Sequence, residues 1–166
     1  MQQTELLESG GVAESANSNM NRSLQLKVKH CDFVKLQVFE DMPDGNLFIA
    51  ETRQQIPFEI KRVYFINSLA NSKAHRGEHA HKVLEQVLFC VTGSFILHLD
   101  DGSRTQRLTL NDPSCGIRLG PLLWHRMSSF SYDCVILVLA SDVYNESDYI
   151  RDYGTFLKIA RTQQGQ

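Results

Sequence analysis

The sequence predicts an all-β chain, an antiparallel sandwich or barrel finished by one or two short helices at its C-terminal end. Three observations predict it. Short apolar or alternating runs recur from Phe33 to Ala140, turn residues separate them at close spacing, and almost no stretch between them has helical periodicity.

The elements follow in order. Residues 1–27 are poor in aromatic and β-branched residues and rich in Ser, Asn, Gln and Glu, so a flexible leader is expected there and one domain over 28–166. Phe33 to Phe39 reads as a strand, Met42-Pro43-Asp44-Gly45 as a turn, and Asn46 to Ala50 as the returning strand. Phe58 to Ile66 is a longer run with period-two character. Gln86 to Val91 and Ser94 to Leu99 flank Thr92-Gly93, which signals a hairpin. Asp100-Asp101-Gly102 is a further turn before the alternating Gln106 to Leu110, and Gly116 to Leu119 and Cys134 to Ala140 complete the strands. From Glu146 to Ile159 the spacing of Tyr149, Ile150, Tyr153, Phe156 and Leu157 becomes helical, with Asn145 and Ser147 as candidate caps.

Composition narrows the function classes. At 166 residues the chain is sized for one domain, and 42% hydrophobic with 22% charged residues is an ordinary globular balance. A net charge of -2 with mixed signs provides no basic stripe, so no nucleic-acid partner is expected. No run approaches the roughly 20 apolar residues of a membrane span, so no membrane partner is expected either. The start MQQTELLESGG lacks a basic segment followed by an apolar one, which argues against a secretory signal. Cys31, Cys90, Cys115 and Cys134 form no CxxC pair, and Cys90 and Cys134 sit in apolar runs as small buried hydrophobes. A cytoplasmic setting is therefore expected.

The segment that carries chemistry is Arg76-Gly77-Glu78-His79-Ala80-His81. Histidines at i and i+2 on a strand project from one face, so His79 and His81 converge on one cavity if that face is interior. The HxH spacing with Gln86 and Gly93 downstream resembles the first motif of the cupin jelly rolls, where two His and a Glu bind metal. Here the carboxylate position holds Gln86, a weaker ligand for a transition metal. In the second motif His125 falls one residue short, and Arg126 takes the ligand position. With the helper ligands gone, the spacing favours imidazoles that move protons over imidazoles that hold an ion, so neither metal nor cofactor is expected.

The stretch from Ile56 to Leu157 resembles the nucleotide-sugar 3,4-ketoisomerases of the cupin superfamily. The resemblance rests on Phe58-Glu59-Ile60-Lys61-Arg62-Val63-Tyr64, on Arg76 to Lys82, and on Gln86. It continues through Leu99 to Gly102, Pro121-Leu122-Leu123-Trp124, Leu137 to Ser141, and Tyr144 to Tyr153. It implies a cupin jelly roll, a dTDP-linked 4-keto-6-deoxy sugar as substrate, and a homodimer with N-terminal strands exchanged between subunits. Lipopolysaccharide or S-layer glycans are the destinations it suggests. In such a reaction one base removes the C3 proton, an enediol forms, and a proton returns at C4.

On that resemblance His79 and His81 are the catalytic pair. Arg62 and Tyr64, sharing one face of a strand, are placed beside the sugar as donors, with Gln86 next to them. Arg76 suits the diphosphate, and Trp124 is a pocket wall or stacking surface. His98 reads as a structural histidine, Tyr144, Tyr149 and Tyr153 as helix packing or substrate contact, and Arg62 equally as a surface partner of Glu59 or Glu78. His125 has no assigned role. Three other readings stand beside this one: a 3,5-epimerase-like cupin, a metal-dependent cupin enzyme, and a non-catalytic nucleotide-sugar-binding cupin.

Overall fold

Alternating inward and outward positions on short strands build two facing antiparallel sheets. The computed structural model describes residues 25–69 and 74–164. One sheet has the strand order β1 (Cys31–Lys35), β9 (Cys115–Leu119), β6 (Gln86–Thr92), β11 (Val135–Ala140), β4 (Arg62–Ile66). The facing sheet has the order β12 (Tyr149–Ile150), β5 (Arg76–His81), β10 (Trp124–Ser128), β7 (Phe95–Asp100), β8 (Thr105–Leu110). Among the described residues, strands β2 (Gln37–Asp41) and β3 (Gly45–Ile49) pair only with each other, through the turn at Met42 to Gly45. This is the jelly roll that the resemblance implies.

The inward residues of both sheets make the main core. Leu88, Cys90, Ile117, Ile136 and Val138 meet Phe95, Leu97, Leu99 and Met127 between the layers, all buried. Full burial of a side chain of this size contributes about 1.5–3 kcal/mol. A second cluster, with Ile56, Phe58, Val87, Phe89 and Leu139, covers the back of the first sheet. A third forms where helix α1 (Tyr153–Gln164) lays Phe156 and Ala160 on Ala80, Leu122 and Ile150. Asp152 starts that helix: its carboxylate accepts from the Thr155 N–H at 2.7 Å, the bond an N-cap residue makes.

Several elements differ from the sequence reading. Phe33 to Phe39 spans two strands, because the Leu36 N–H leaves the ladder for the Ser114 carbonyl at 2.8 Å. In the run from Phe58 only Arg62–Ile66 is strand; Phe58 instead plugs the second cluster. Thr92-Gly93 is not a hairpin turn, for β6 and β7 lie in different sheets and the turn carries the chain across the core. Gly93, at φ +73°, makes that corner. Trp124–Ser128 is a strand the alternation conceals, since its inward positions include a histidine. The expected helical stretch from Glu146 breaks into a 3₁₀ turn capped by Asn145, the short β12, and α1. Most of the expected leader lies outside the described residues. Its last residues do make contacts: Leu26 packs on the core, and the Lys27 N–H donates to the Gln106 side chain.

Candidate active site

Strands β5 and β10 are the frame of the site. His79 and His81 project inward from β5, and His125 stands opposite His79 on β10. Three imidazoles therefore meet, with centroids 4.9 Å apart for His79 and His81, and 4.5 Å for His79 and His125. The aim of His79 depends on the residues just before it. Gly77 (φ +86°) and Glu78 (φ +59°) bend the strand next to the register shift, and a Cβ on Gly77 would lie 2.8 Å from the His125 carbonyl oxygen. β12 then closes the edge, and Tyr149, paired with His81, lays its ring 4.4 Å from His81 and 4.8 Å from His79.

A buried carboxylate orients one member of the pair. Asp148 lies 2.9 Å from His81 Nδ1 and also accepts the backbone N–H groups of Lys82, Val83 and Leu84. Its charge is thus solvated by the loop it clamps. Donation from Nδ1–H to Asp148 fixes the tautomer and leaves the lone pair on His81 Nε2, which has no partner among the described residues. His79 Nδ1 and Arg62 Nε are likewise buried without partners among the described residues. Unpaired buried polar atoms are costly, and three of them at one place mark where a polar ligand would find partners.

The opposing sheet supplies donors. Arg62 and Tyr64 sit at successive inward positions of β4, and the Gln86 amide donates to the Tyr64 hydroxyl at 3.3 Å. With its oxygen accepting from Gln86, the Tyr64 O–H is free to donate elsewhere. Arg62 sits against the rings of Tyr64 and Tyr144, at 5.3 Å and 5.8 Å, and pairs with neither Glu59 nor Glu78. At the rim, Tyr144, Glu146 and Arg151 form a hydrogen-bonded chain, with the Arg151 guanidinium 4.3 Å from the Tyr149 ring centroid.

Burial sets the electrostatics. It is the first cause lowering His79, whose pKa falls to about 4, with the charges of His81 and Arg151 adding to the effect. His81 is also lowered by burial, against the opposing pull of Asp148. His125 is pushed down further by burial and by its two histidine neighbours. Burial raises Tyr64, keeping it a phenol that can donate. The site thus holds neutral imidazoles at neutral pH.

Of the residues expected from sequence, the structure brings together His79, His81, Arg62, Tyr64 and Gln86. It leaves one apart: Trp124 lies on the outer side of β10, against Tyr153 and Phe156 of α1. Arg76 is exposed at the start of β5, and its register partner is the inward Met127, so it shares the face of the histidines at the open end of the strand. Arg126 also faces outward while His125 turns in, so the guanidinium that the motif spacing puts at the ligand position is absent from the cluster. Among the described residues no group of His, Cys, Asp and Glu is arranged to hold a metal. Sequence reasoning missed Asp148, and the usable signal was weak: an acid after the capping Asn145, in a segment whose spacing looks helical.

Comparison with known proteins follows the same lines. Residues 29–161 match the model of the family described as FdtA: WxcM-like, C-terminal. A TDP-4-oxo-6-deoxy-alpha-D-glucose-3,4-oxoisomerase of Aneurinibacillus thermoaerophilus is 52% identical over 114 residues, 69% of this chain and 81% of that protein. The 3,4-ketoisomerase QdtA from Thermoanaerobacterium thermosaccharolyticum was solved as a histidine-to-asparagine mutant with TDP-4-keto-6-deoxyglucose. It superposes with a TM-score of 0.79 at 39% identity, over 82% of this chain and 97% of its own. WlaRB of Campylobacter jejuni, a TDP-quinovose 3,4-ketoisomerase, gives 0.74 at 42%, over 79% and 99%. The rmlC epimerase of Mycobacterium tuberculosis, at 18% identity and a TM-score of 0.63, shares the fold. By sequence, fold and matched length, this chain belongs to the FdtA, WxcM-like C-terminal family.

Proposed function

We propose that this protein is an isomerase that converts TDP-4-keto-6-deoxyglucose to a TDP-linked 3-keto-6-deoxyhexose by metal-free acid–base chemistry. The observation that carries the reading is the convergence of two unpartnered imidazole nitrogens, His79 Nδ1 and His81 Nε2, in a chain 52% identical to a 3,4-oxoisomerase.

The reaction moves two protons. A neutral imidazole takes the proton on C3, the C3–H electrons form the C3–C4 double bond, and the C4 carbonyl oxygen gains the negative charge. Protonation of that oxygen gives the enediol. Loss of the proton from the C3 hydroxyl and delivery of one to C4 then complete the transfer. His81, held by Asp148, is suited to accept a proton because the imidazolium that forms is stabilised by a carboxylate 2.9 Å away. His79 serves the second transfer. The Tyr64 hydroxyl and the Arg62 guanidinium are donors for the oxygen that becomes negative, and one such preorganised donor is worth about 3 kcal/mol. Gln86 positions Tyr64.

Proton NMR of TDP-4-keto-6-deoxyglucose with chelator-treated protein in D₂O tests this. Loss of the C3 proton signal and growth of a 3-keto product are expected, with the C4 configuration read from the same spectrum. A substrate spectrum unchanged after prolonged incubation, both before chelation and with metal added back, overturns the activity. Turnover that stops on chelation and returns with added metal overturns the metal-free mechanism alone.

The active form is a homodimer in this reading. Support comes from β4, an edge strand whose outward Val63 and Phe65 are 59% and 67% exposed, and from the β2–β3 hairpin, which exposes Phe39 and Leu47. Exchange of N-terminal strands would cover the same surfaces. Sedimentation should give a dimer that Phe65→Glu weakens; a wild-type monomer would end the proposal. A cytoplasmic location is supported by four cysteines that are all free thiols.

A further inference from the structure

The outer face of the histidine-bearing sheet carries a cleft that the proton transfer does not use. Its volume is about 490 Å³, within the ~300–1,000 Å³ typical of small-ligand sites. Antiparallel register builds its floor. Arg126 on β10 lies directly opposite His98 on β7, and His98 directly opposite Arg107 on β8. In the next row Trp124 faces Asp100, and Asp100 faces Thr105. Tyr153 and Arg151 form one wall, and Glu78 lines the cleft as well.

This floor is an unusual arrangement for a solvated sheet. Arg126 and Arg107 flank His98 in one row, two strand spacings apart, with no acidic side chain between them. Arg107 and Arg126 have no ion pair among the described residues. Asp100 accepts from the Tyr153 hydroxyl and the Gly102 N–H, neutral donors that leave its charge in place. Arg151 is held by Glu146, so Asp100 and Glu78 are the two carboxylates that line the cleft with Arg107 and Arg126. His98 bonds Ser128 Oγ at 2.8 Å, and burial first, then Arg126, Arg107 and His75, lowers its pKa. The row itself therefore presents two guanidinium groups with one neutral imidazole between them.

Strand spacing makes the row ~10 Å long, the reach of two phosphates between paired guanidinium groups. At its end the Trp124 and Tyr153 rings stand edge to face, 5.1 Å between centroids, a wall against which a planar base can pack. We propose that this cleft binds a nucleoside diphosphate, free or sugar-linked, at a site separate from the histidine cluster. The diphosphate lies along Arg126, His98 and Arg107, and the base lies toward Trp124 and Tyr153.

The test follows the His98 ring proton by NMR while TDP, TDP-glucose or inorganic pyrophosphate is added, with calorimetry giving the stoichiometry. TDP should shift the His98 resonance and raise its protonation midpoint, because the phosphate charge offsets the two arginines. Two TDP molecules should bind each chain. The double variant Arg107→Ser, Arg126→Ser should lose at least about tenfold in affinity at this site alone, while its circular dichroism and rate of turnover match the wild type. TDP-glucose binding as TDP does assigns the site to sugar-linked nucleotides too, and exclusion of TDP-glucose restricts it to the free diphosphate. An unmoved His98 resonance at millimolar TDP overturns the site. Pyrophosphate that binds as tightly as TDP overturns the role of the aromatic wall. His98 reports on the outer cleft whether or not the interior histidines turn substrate over, so the two proposals fail separately.

Discussion

The inner and outer faces of one sheet hold histidines in opposite company. Inside, His79, His81 and His125 lie within 6.3 Å of one another, shielded from water, and a carboxylate 67 residues along the chain is brought to one of them. Outside, His98 lies half-buried between two arginines and receives no carboxylate. All four imidazoles are lowered by burial, yet their neighbours differ. The interior group has a partner that stabilises the proton it picks up, and so can turn over. The exterior group has neighbours that repel a proton until an anion arrives. Alternation along β5, β7 and β10 decides which side chains go where, and the facing elements decide what each imidazole can do.

The comparison breaks first at the interior pair. His81→Asn and His79→Asn should each reduce turnover by ~10²–10⁴-fold, the usual contribution of one positioned acid or base. Nucleotide binding should persist, as measured by calorimetry with TDP. A variant that keeps near-wild-type kcat would remove that residue from proton transfer.

Asp148 is the next point of leverage. Asp148→Asn keeps the shape but removes the charge that holds the imidazolium, and about 10–100-fold lower kcat is expected. The carboxylate raises His81 against the effect of burial. Its removal should therefore move the acid limb of the kcat/KM profile to lower pH. A lower rate with an unshifted limb would make Asp148 a clamp for the 82–84 loop and nothing more.

Much of this was legible in the sequence. The fold class follows from the alternation between Phe33 and Ala140, and His79 and His81 follow from their i, i+2 spacing. Arg62 and Tyr64 share a face by the same rule. The spacing of the second histidine motif misleads, because it assigns Arg126 inward where the strand turns His125 inward. No local pattern shows register, and register alone decides which of two neighbours faces the core. Asp148 was illegible for another reason: its partner is 67 residues away, and the 3₁₀ turn that aims it is set by the Asn145 cap and the edge pairing of β12. The hairpin expected at Thr92-Gly93 fails similarly, since a turn signal does not say whether the strands it joins share a sheet.

The buried imidazoles should also make stability depend on pH. His79 titrates at about 4 when folded against 6.5 as a free group, so between these values the unfolded chain binds the extra proton. The stabilisation is fully present above pH 6.5 and is lost as pH falls toward 4, a change on the order of 1–3 kcal/mol for His79. His81 and His125 are lowered too and add in the same direction. Urea midpoints should fall steadily from pH 7 to pH 4.5, and His79→Asn should flatten part of that slope. An unchanged slope in the variant would mean that water reaches the cluster and screens it.

The smallest effect is expected where sequence and structure disagree most about a residue. Trp124 neighbours His125 in the chain, yet its side chain packs outward on Phe156 and Tyr153, with centroids 5.5 Å and 5.1 Å away. Trp124→Phe keeps an aromatic filler over Ala80 and Phe156, so a loss of about 1 kcal/mol in unfolding free energy is expected. If the two faces are chemically separate, kcat and KM for the 4-keto sugar should stay within about twofold of wild type, since no reacting atom meets the indole. A large rise in KM without loss of stability would show that the substrate extends over the edge of β5 onto the outer face. The interior site and the outer cleft would then be parts of one binding surface, and Arg126 and Arg107 would belong to the substrate diphosphate.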